Sequence, residues 1–495
     1  MHFHINWSEV PPLLAVVHIL GLIAACHAIL NTRTSQGAIA WAVSLATMPY
    51  LTLIPYLFLG RSKFAGYVDA RRLRNETLRE RAHPPELDGT TRPAAVPVPA
   101  PAPVPAQDLS PAYVFDPRAL HTFSRLAGMP LLPGNSVRTL VNGKATFTAI
   151  LDAIEHARSY VIVQFFIVRA DALGNLLKDA MIAATARGVR VFFLYDSIGC
   201  FDLPSDYTGT LAAANVVVHP FSTRRHFVNR FQLNFRNHRK IVVVDGERAF
   251  VGGHNVGVEY LGAKPPLSPW RDTHIEVRGP AVANIQFVFT EDWYWATQKL
   301  PGCEPPPQKP HDDGMFCLVM PTGPADRMET CSLFFVEAIN AARKRLWITT
   351  PYLVPDEAVF SALRLAVLRG VDVRIMIPAR RDHYVVFEAS TLYAFDAVRS
   401  GIRIFRYQPG FLHQKVVLID DVAAAIGSAN LDNRSFRLNF EVMVLTVHRG
   451  FAAEVEAMLL RDFEQTVEID RSEYRDAPVL RKITMHVARL FAPIL

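Results

Sequence analysis

The same pattern of potentially reactive residues occurs twice in this 495-residue chain, with identical internal spacing. Each copy reads His-x-Lys, four apolar residues, Asp, six more residues, Gly, then Gly or Ser, any residue, and Asn. An imidazole and an ammonium group repeated in this way are what substitution at a phosphodiester requires, so the duplication predicts that chemistry. The fixed positions are His238, Lys240, Asp245, Gly252, Gly253 and Asn255 in one copy and His413, Lys415, Asp420, Gly427, Ser428 and Asn430 in the other.

Two histidines in opposite protonation states can divide such a reaction between them. One neutral imidazole attacks phosphorus and forms a phosphohistidine, while the other, protonated, gives a proton to the leaving alcohol. The second ring can then accept a proton from an incoming alcohol or water. Lysine and asparagine side chains stabilise the charge on the non-bridging oxygens. Opposite protonation states require different surroundings for the two rings.

The residues between the motif positions predict the elements that position these groups. The valine and isoleucine run 241–244 predicts a strand, and residues two apart on a strand share a face, so His238 and Lys240 point the same way. Asp245-Gly246 predicts a hairpin turn. The odd spacing of Asp245 from His238 directs its carboxylate away from the ring. The sequence leaves open whether Asp245 and Asp420 react or shape the turn, and whether the asparagines contact phosphate or close a turn.

The rest of the main body is also duplicated. Segments 154–168 and 339–354 match, as do 186–196 and 368–378, and each half alternates helix, apolar strand, helix, apolar strand and motif. Short runs of valine, isoleucine and phenylalanine between helices are typical of buried strands in an α/β sheet. We therefore predict an α/β protein with two pseudo-repeated halves that face each other, spanning 115–310 and 311–495.

The N-terminal region predicts attachment to a membrane. Pro11–Leu30 and Gly37–Gly60 contain no charged residue, and about 20 apolar residues are enough to cross a bilayer as a helix. Residues 1–60 are thus predicted as a hairpin anchor, although a signal peptide is the rival for the first segment, and Pro49 and Pro55 also allow a re-entrant second segment. Residues 61–114 form a basic juxtamembrane segment and a proline-rich linker, and the excess of arginine there predicts a cytoplasmic body.

Composition leaves the partner open between nucleic acid and acidic lipid. The formal net charge is +6, and the five cysteines are scattered without metal-ligand spacing, so neither a zinc site nor a disulfide framework is predicted. The membrane segments favour lipid. The C-terminal stretch 481–495 has basic and apolar residues at helical spacing, which suits either a membrane surface or packing on the body.

The paired motifs resemble the phospholipase D superfamily over the whole main body. The segments 235–262, 269–282, 411–421 and 426–442 further resemble bacterial cardiolipin synthases, as does the N-terminal pair of apolar segments. The resemblance implies phospholipase D-like halves, with His238 as the nucleophile and His413 as the general acid and base. It also implies that His238/Lys240/Asp245 and His413/Lys415/Asp420 are the active-site triads. His254 departs from the family, where an aromatic residue is more usual.

Acidic residues beyond each motif usually orient the histidines in this superfamily. Asp272 and Glu441 stand at suitable positions, and the sequence does not assign either one to a particular histidine. The buried, strand-like context of Glu441 favours a functional partner for its carboxylate.

We therefore expect a cardiolipin synthase of the bacterial inner membrane that joins two phosphatidylglycerol molecules and releases glycerol. No cofactor, metal or nucleic-acid partner is expected, and anionic membrane lipids are the predicted partners. The motifs are equally compatible with a phospholipase D hydrolase that uses water, or with phosphatidylethanolamine or another alcohol in the exchange. A nuclease of the same superfamily is disfavoured by the membrane segments.

Overall fold

The computed structural model describes residues 10–32, 35–60, 115–222, 234–307 and 309–495. The predicted basic segment and proline-rich linker, 61–114, lie outside the described residues. The chain divides into two compact units, one comprising 1–69 with 222–235 and the other 70–221 with 236–495.

The N-terminal unit contains the helices α1 (Val10–Asn31), α2 (Ser35–Thr47) and α3 (Pro49–Leu59). Among the described residues, α1 alone is long and apolar enough to cross a membrane, with a mean hydropathy of 2.0 over Leu14–Asn31. The second apolar segment is divided at Met48 into two short helices, because Pro49 begins a new helix. A multi-pass anchor therefore stays a prediction.

The helices of this unit pack closely on one another. The Tyr56 hydroxyl lies 2.7 Å from His27 Nδ1, and the rings of Trp41 and Tyr56 meet edge to face at 5.1 Å. Gly21 allows the contact between α1 and the α2–α3 junction, since a Cβ there would lie 2.5 Å from the Leu45 carbonyl oxygen. The outward sides of the helices remain apolar.

The main unit repeats one order of helices and strands. The first half consists of α4 (Pro117–Ala127), β1 (Leu132–Val141), α5 (Asn142–Glu155), β2 (Tyr160–Phe165), α6 (Ala172–Ala186), β3 (Arg190–Asp196), α7 (Ser205–Ala213), β4 (Val217–Phe221), β5 (Arg236–Asn237), β6 (Ile241–Val244), β7 (Arg248–Gly252), β8 (Trp270–Arg271), β9 (Thr273–Arg278) and α8 (Ala281–Thr297).

The second half follows the same plan and adds a C-terminal extension. It consists of β10 (Met315–Thr322), α9 (Thr330–Ala341), β11 (Arg345–Thr349), β12 (Leu353–Val354), α10 (Glu357–Leu368), β13 (Asp372–Pro378), α11 (Tyr384–Arg399), β14 (Arg403–Tyr407), β15 (Phe411–Leu412), β16 (Val416–Ile419), β17 (Ala423–Gly427), β18 (Leu431–Asp432), α12 (Asn433–Arg437), β19 (Asn439–Val447), α13 (Arg449–Phe463), β20 (Thr466–Ile469), α14 (Ser472–Arg475) and α15 (Val479–Arg489).

One mixed sheet runs through both halves. The first half contributes the order β1-β9-β7-β6-β2-β3-β4, and the second repeats it as β10-β19-β17-β16-β11-β13-β14, with β20 at the edge. The antiparallel pair β1–β10 joins the two sets. The predicted α/β class with two pseudo-repeated halves is therefore confirmed, and the halves share a continuous sheet.

Apolar runs form the central strands because both faces of the sheet are covered. All six residues of β2 and all four of β6 are buried. Phe147 and Ile150 from α5 and Leu177 from α6 enter a core with Val161 and Phe193 of the strands. Strands buried on both faces read as continuous apolar runs rather than as alternating ones, as the sequence indicated.

The motif aspartates tie the central hairpins to the neighbouring strands. Asp245 occupies the turn after β6 with φ 55°, followed by Gly246 with φ 68°, as the Asp-Gly pair predicted. The Asp245 carboxylate accepts hydrogen bonds from the backbone N–H groups of residues 158–160 at 2.8–3.0 Å. Asp420, with φ 53°, accepts from those of residues 343–345 at 2.8–3.2 Å. Each carboxylate thus holds the start of a central strand.

We expect Asp245→Ala and Asp420→Ala to lower the free energy of unfolding by about 2–4 kcal/mol each, because three backbone donors lose a charged acceptor. Chemical denaturation of the purified protein measures this change. Glu247→Ala, at an exposed position in the same turn, is the control and should change stability little. A loss of activity without a loss of stability would contradict a structural role.

Candidate active site

Short parallel bridges between the halves set the positions of both motif histidines. The segment before His238, β5, pairs with the first residues of β19, and the His238 N–H donates to the Phe440 carbonyl at 2.9 Å. The segment before His413, β15, pairs with β8, and the His413 N–H donates to the Arg271 carbonyl at 2.8 Å. Each histidine therefore lies beside the acid-bearing strand of the opposite half.

His238 pairs with the carboxylate of Glu441. The two atoms His238 Nδ1 and Glu441 Oε2 are 3.0 Å apart, and the carboxylate is fully buried. An ionised carboxylate accepts the Nδ1 proton, which leaves Nε2 with its lone pair for chemistry. Burial lowers the pKa of His238 to about 4, against the opposing effect of Glu441. The ring is therefore held neutral.

His413 pairs with Asp272 in the same way. His413 Nδ1 donates to Asp272 Oδ2 at 2.7 Å. Burial, and after it the charge of Lys415, lower the pKa of His413 to about 4. The pKa of Asp272 is held well below its usual range despite its own burial, because Lys415 and neighbouring histidines surround it. The crossed arrangement gives each half the acid that orients the other half's histidine.

The motif lysines are buried beside their histidines. Lys240 Nζ donates to the His238 carbonyl at 2.6 Å, and Lys415 Nζ donates to the His413 carbonyl. Phe166 contacts both His238 and Lys240, with a 4.9 Å separation from the imidazole ring, as expected if they share a face. Burial lowers the pKa of Lys240 to about 7 and that of Lys415 to about 8.

The two histidines open on one cavity of about 530 Å³. Asn255 and Asn430 also line it, and the Asn430 side-chain oxygen is buried without a hydrogen-bond partner among the described residues. Asn255 accepts from the Ile167 N–H at 3.1 Å, so this asparagine also holds the backbone of the cavity wall.

The residue between the histidine and the lysine of each motif anchors the motif to the helix that closes the repeated part of its own half. Arg239 donates to Asp292 of α8 at 2.7 Å, and Gln414 donates to Asp462 of α13 at 2.9 Å. The Asp462 carboxylate also accepts hydrogen bonds from Nε and Nη2 of Arg271, both at 2.7 Å. These buried contacts fix the motif backbone from behind the cavity.

Three comparisons with known proteins agree with this geometry. The family model "Cardiolipin synthase, PLD-like domain" matches residues 150–265 and 335–463. Cardiolipin synthase A of Pseudomonas aeruginosa is 57% identical over 98% of this chain and 96% of its own length, and that of Pseudomonas fluorescens is 57% identical over 98% of both chains. The chain belongs to the cardiolipin synthase family.

A solved structure supports the fold of this cardiolipin synthase family member independently. The crystal structure of phosphatidylserine synthase from Haemophilus influenzae matches 76% of this chain and all of its own, with a TM-score of 0.57 and 15% sequence identity. At this identity the likeness shows the fold alone. The resemblance to phospholipase D-like and cardiolipin synthase sequences is confirmed.

The structure brings most of the predicted site residues of this cardiolipin synthase family member together. The histidines, lysines and asparagines of both motifs and the two later acids surround one centre. Asp245 and Asp420 are not brought there, since a four-residue strand of about 13 Å separates each from its lysine. Their contacts are those of turn residues, although the resemblance counts them in the triads.

Sequence reasoning missed two cationic residues of the cavity wall, Arg236 and Arg434. Burial lowers the pKa of Arg434 to about 10, with the like charge of Arg236 acting in the same direction. The signal for Arg236 was present, because it stands two residues before His238 and so shares its side of an extended chain. Arg434 is placed by the tertiary fold and had no such signal.

Gly253 makes room for Asp272, whereas its counterpart in the second motif carries a side chain. A Cβ on Gly253 would lie 2.0 Å from Asp272 Oδ1. Ser428 instead donates a hydrogen bond to Glu441 Oε2. His254, the departure from the family, is buried against His274 with their Nδ1 atoms 3.0 Å apart. The two carboxylates therefore have different neighbours, as opposite protonation states of the histidines require.

We expect Glu441→Gln and Asp272→Asn each to lower kcat by about 10²- to 10⁴-fold, because an imidazole loses the anion that orients it and stabilises its charged form. Their pH profiles should differ. Each carboxylate raises the pKa of its histidine, so Glu441→Gln should move the acid limb, and Asp272→Asn the alkaline limb, to lower pH. The reverse pattern in pH-rate profiles would exchange the roles of the histidines.

We expect Gly253→Ala to lower activity by about 10²-fold, because the added methyl group displaces the Asp272 carboxylate that holds His413. Gly209→Ala is the control, since a Cβ at that helical glycine meets nothing within 4 Å. Steady-state kinetics, with thermal unfolding to check the fold, measures the effect. Parental activity in Gly253→Ala would argue against the importance of this carboxylate.

Proposed function

We propose that this protein transfers a phosphatidyl group between two phosphatidylglycerol molecules, giving cardiolipin and glycerol through a phosphohistidine at His238. The observation that carries the proposal is the crossed pair of buried carboxylate–imidazole contacts, His238–Glu441 and His413–Asp272, beside a shared cavity. The names of its relatives, cardiolipin synthase A, support the choice of product.

The first half-reaction forms the covalent intermediate. The lone pair of His238 Nε2 attacks phosphorus, and the bond from phosphorus to the glycerol oxygen breaks. His413 Nε2–H gives its proton to that oxygen, so glycerol leaves and a phosphorus–nitrogen bond remains. Lys240, Lys415 and Asn430 supply donors and positive charge for the non-bridging oxygens.

The second half-reaction reverses the first with a different alcohol. The neutral His413 accepts the proton of a hydroxyl of the second phosphatidylglycerol, whose oxygen attacks phosphorus as the bond to His238 breaks. Cardiolipin leaves, His238 is neutral and His413 is protonated again. One phosphodiester replaces another, so the exchange needs no nucleotide.

Charge balance accounts for the protonation states that this cycle needs. Burial lowers the pKa of both histidines to about 4, so neither would be protonated near pH 7 on its own. A bound phosphodiester adds a negative charge and raises the pKa of the imidazole beside it. With one imidazolium, Lys240 and Lys415 then balance Glu441, Asp272 and the phosphodiester. The negative charge of the substrate thereby favours the protonated His413 that acts as its general acid.

The proposal includes the location of the protein. We infer two passes through the bacterial inner membrane, by α1 and by the α2–α3 pair, with the catalytic unit on the cytoplasmic side. The spanning length of α1 and the arginine-rich sequence 61–81 support this arrangement. Anionic lipids would then surround the protein at its site of action.

A substrate with a leaving group that needs no proton separates the roles of the histidines. We expect His413→Ala to release one equivalent of nitrophenol from phosphatidyl-p-nitrophenol in a burst, because nitrophenolate leaves unaided, and then to stall. His238→Ala should release none, since it lacks the nucleophile. Rapid-mixing absorbance measures the burst. A burst in His238→Ala, or full turnover in His413→Ala, would contradict the assignment.

The products formed from phosphatidylglycerol in vesicles show whether a lipid hydroxyl or water accepts the phosphatidyl group. We expect cardiolipin and glycerol in equal amounts, resolved by chromatography and mass spectrometry. Phosphatidic acid as the main product would instead indicate a hydrolase. Addition of phosphatidylethanolamine to the vesicles tests whether another lipid takes part in the exchange.

A further inference from the structure

The C-terminal helix α15 presents its apolar side outward. Two of its arginines pair with acids of the body, Arg481 with the buried Glu388 at 3.3 Å and Arg489 with Asp396 at 2.7 Å. The solvent-exposed side consists mainly of large apolar residues at helical spacing, namely Val479, Leu480, Ile483, Val487 and Leu490, which are 49–78% exposed. This pattern is the reverse of that on a helix of a water-soluble surface.

The exposed apolar side continues to the active-site cavity. The chain after α15 forms a short turn, and Ile494 and Leu495 line the cavity that holds both histidines. Arg434 keeps this segment in place, since its N–H donates to the Leu495 carbonyl at 2.8 Å and its guanidinium to that of Ile494 at 3.1 Å. Helix α15 therefore adjoins the site rather than a remote part of the surface.

The start of α11 contributes a second group of apolar residues at the same cavity. Tyr384 and Val385 line it and are 50% and 42% exposed, so they mark the opening of the cavity to its surroundings. The opening and α15 thus form one apolar surface, which we call the entrance surface (Tyr384, Val385, Val479, Leu480, Ile483, Val487 and Leu490).

Positive charge borders the entrance surface. Arg380, Arg381 and Arg481 line a second, open cleft between the segment before α11 and the start of α15, together with Tyr384 and Leu480. Arg380 and Arg381 are both exposed. Aromatic and aliphatic side chains next to arginines match the boundary between acyl chains and anionic headgroups.

We propose that the entrance surface lies in the headgroup–acyl boundary of an anionic bilayer, with the cavity opening held against the lipid from which the substrate comes. A second copy of this chain fits less well, because its own exposed arginines would add like charge. The inference rests on the proposed function for the identity of the substrate, while the membrane contact itself does not require turnover.

A bilayer and a monomeric substrate distinguish surface contact from catalysis. The variant combines Leu480→Gln, Ile483→Gln and Leu490→Gln in the full chain. Its matched control combines Leu176→Gln, Leu365→Gln and Leu368→Gln, which are also exposed and line neither cavity. We expect the entrance variant to be at least about tenfold slower on long-chain phosphatidylglycerol vesicles and within about twofold of the parent on monomeric dihexanoyl phosphatidylglycerol, with the control unchanged on both.

A spectroscopic measurement tests the contact without turnover. Val487→Trp in the full chain should be quenched by brominated lipids in vesicles that contain phosphatidylglycerol, beyond the quenching of the native tryptophans. Leu368→Trp should show no such added quenching. If the parent makes phosphatidic acid instead of cardiolipin, the proposed function fails, and the quenching still decides the surface.

Three results would overturn the inference. Equal loss of rate on vesicles and on the monomeric substrate would assign α15 to folding or catalysis. Parental rates on vesicles together with a smaller oligomer than the parent forms would assign the surface to a second copy. Absence of added quenching at Val487→Trp would place the helix in water.

Discussion

The crossed pairing of two carboxylates with two imidazoles is the constraint on which the rest of this protein depends. His238 relies on Glu441, 203 residues away, and His413 on Asp272, 141 residues away. Neither motif histidine finds its carboxylate partner in its own half. The continuous sheet and the bridges β5–β19 and β8–β15 hold these partners at hydrogen-bond distance. Duplication of the fold therefore has a chemical reason, since each copy completes the other.

Burial of so many charges at one point demands compensation. Glu441, Asp272, Lys240 and Lys415 are at most 1% exposed, and the removal of isolated charges from water is costly. Their mutual placement offsets this cost. Burial lowers the pKa of both lysines, and the charge of Lys415 lowers that of Lys240 further. In the proposed cycle, the anionic substrate is then the component that makes a protonated histidine favourable. Substrate binding and acid activation are two descriptions of one electrostatic balance.

Much of the site was predictable because it depends on local spacing. The His-x-Lys period on extended chain, the Asp-Gly turn and the buried apolar runs follow from residues within ten positions of one another. The partner of each histidine was not predictable, because two-residue bridges between distant segments carry no periodic signal. The same holds for Arg434. The division of the second apolar segment at Met48 was suggested by Pro49, yet its course in a membrane depends on surroundings that the sequence does not contain.

The seam between the halves also determines how large molecules pass through the site. Strand β10 pairs with β1 across the seam and with β19 inside its own half, so separation of the halves would break the β1–β10 pairing as well as both carboxylate pairs. Lipids therefore have to enter and leave while the two halves stay together. Glycerol is small enough to diffuse away while the phosphatidyl chain stays tethered, and a product with four acyl tails must withdraw sideways along the route by which its precursors arrived. In the proposed mechanism the phosphohistidine imposes a ping-pong order, and the seam makes both identical lipids use the same route.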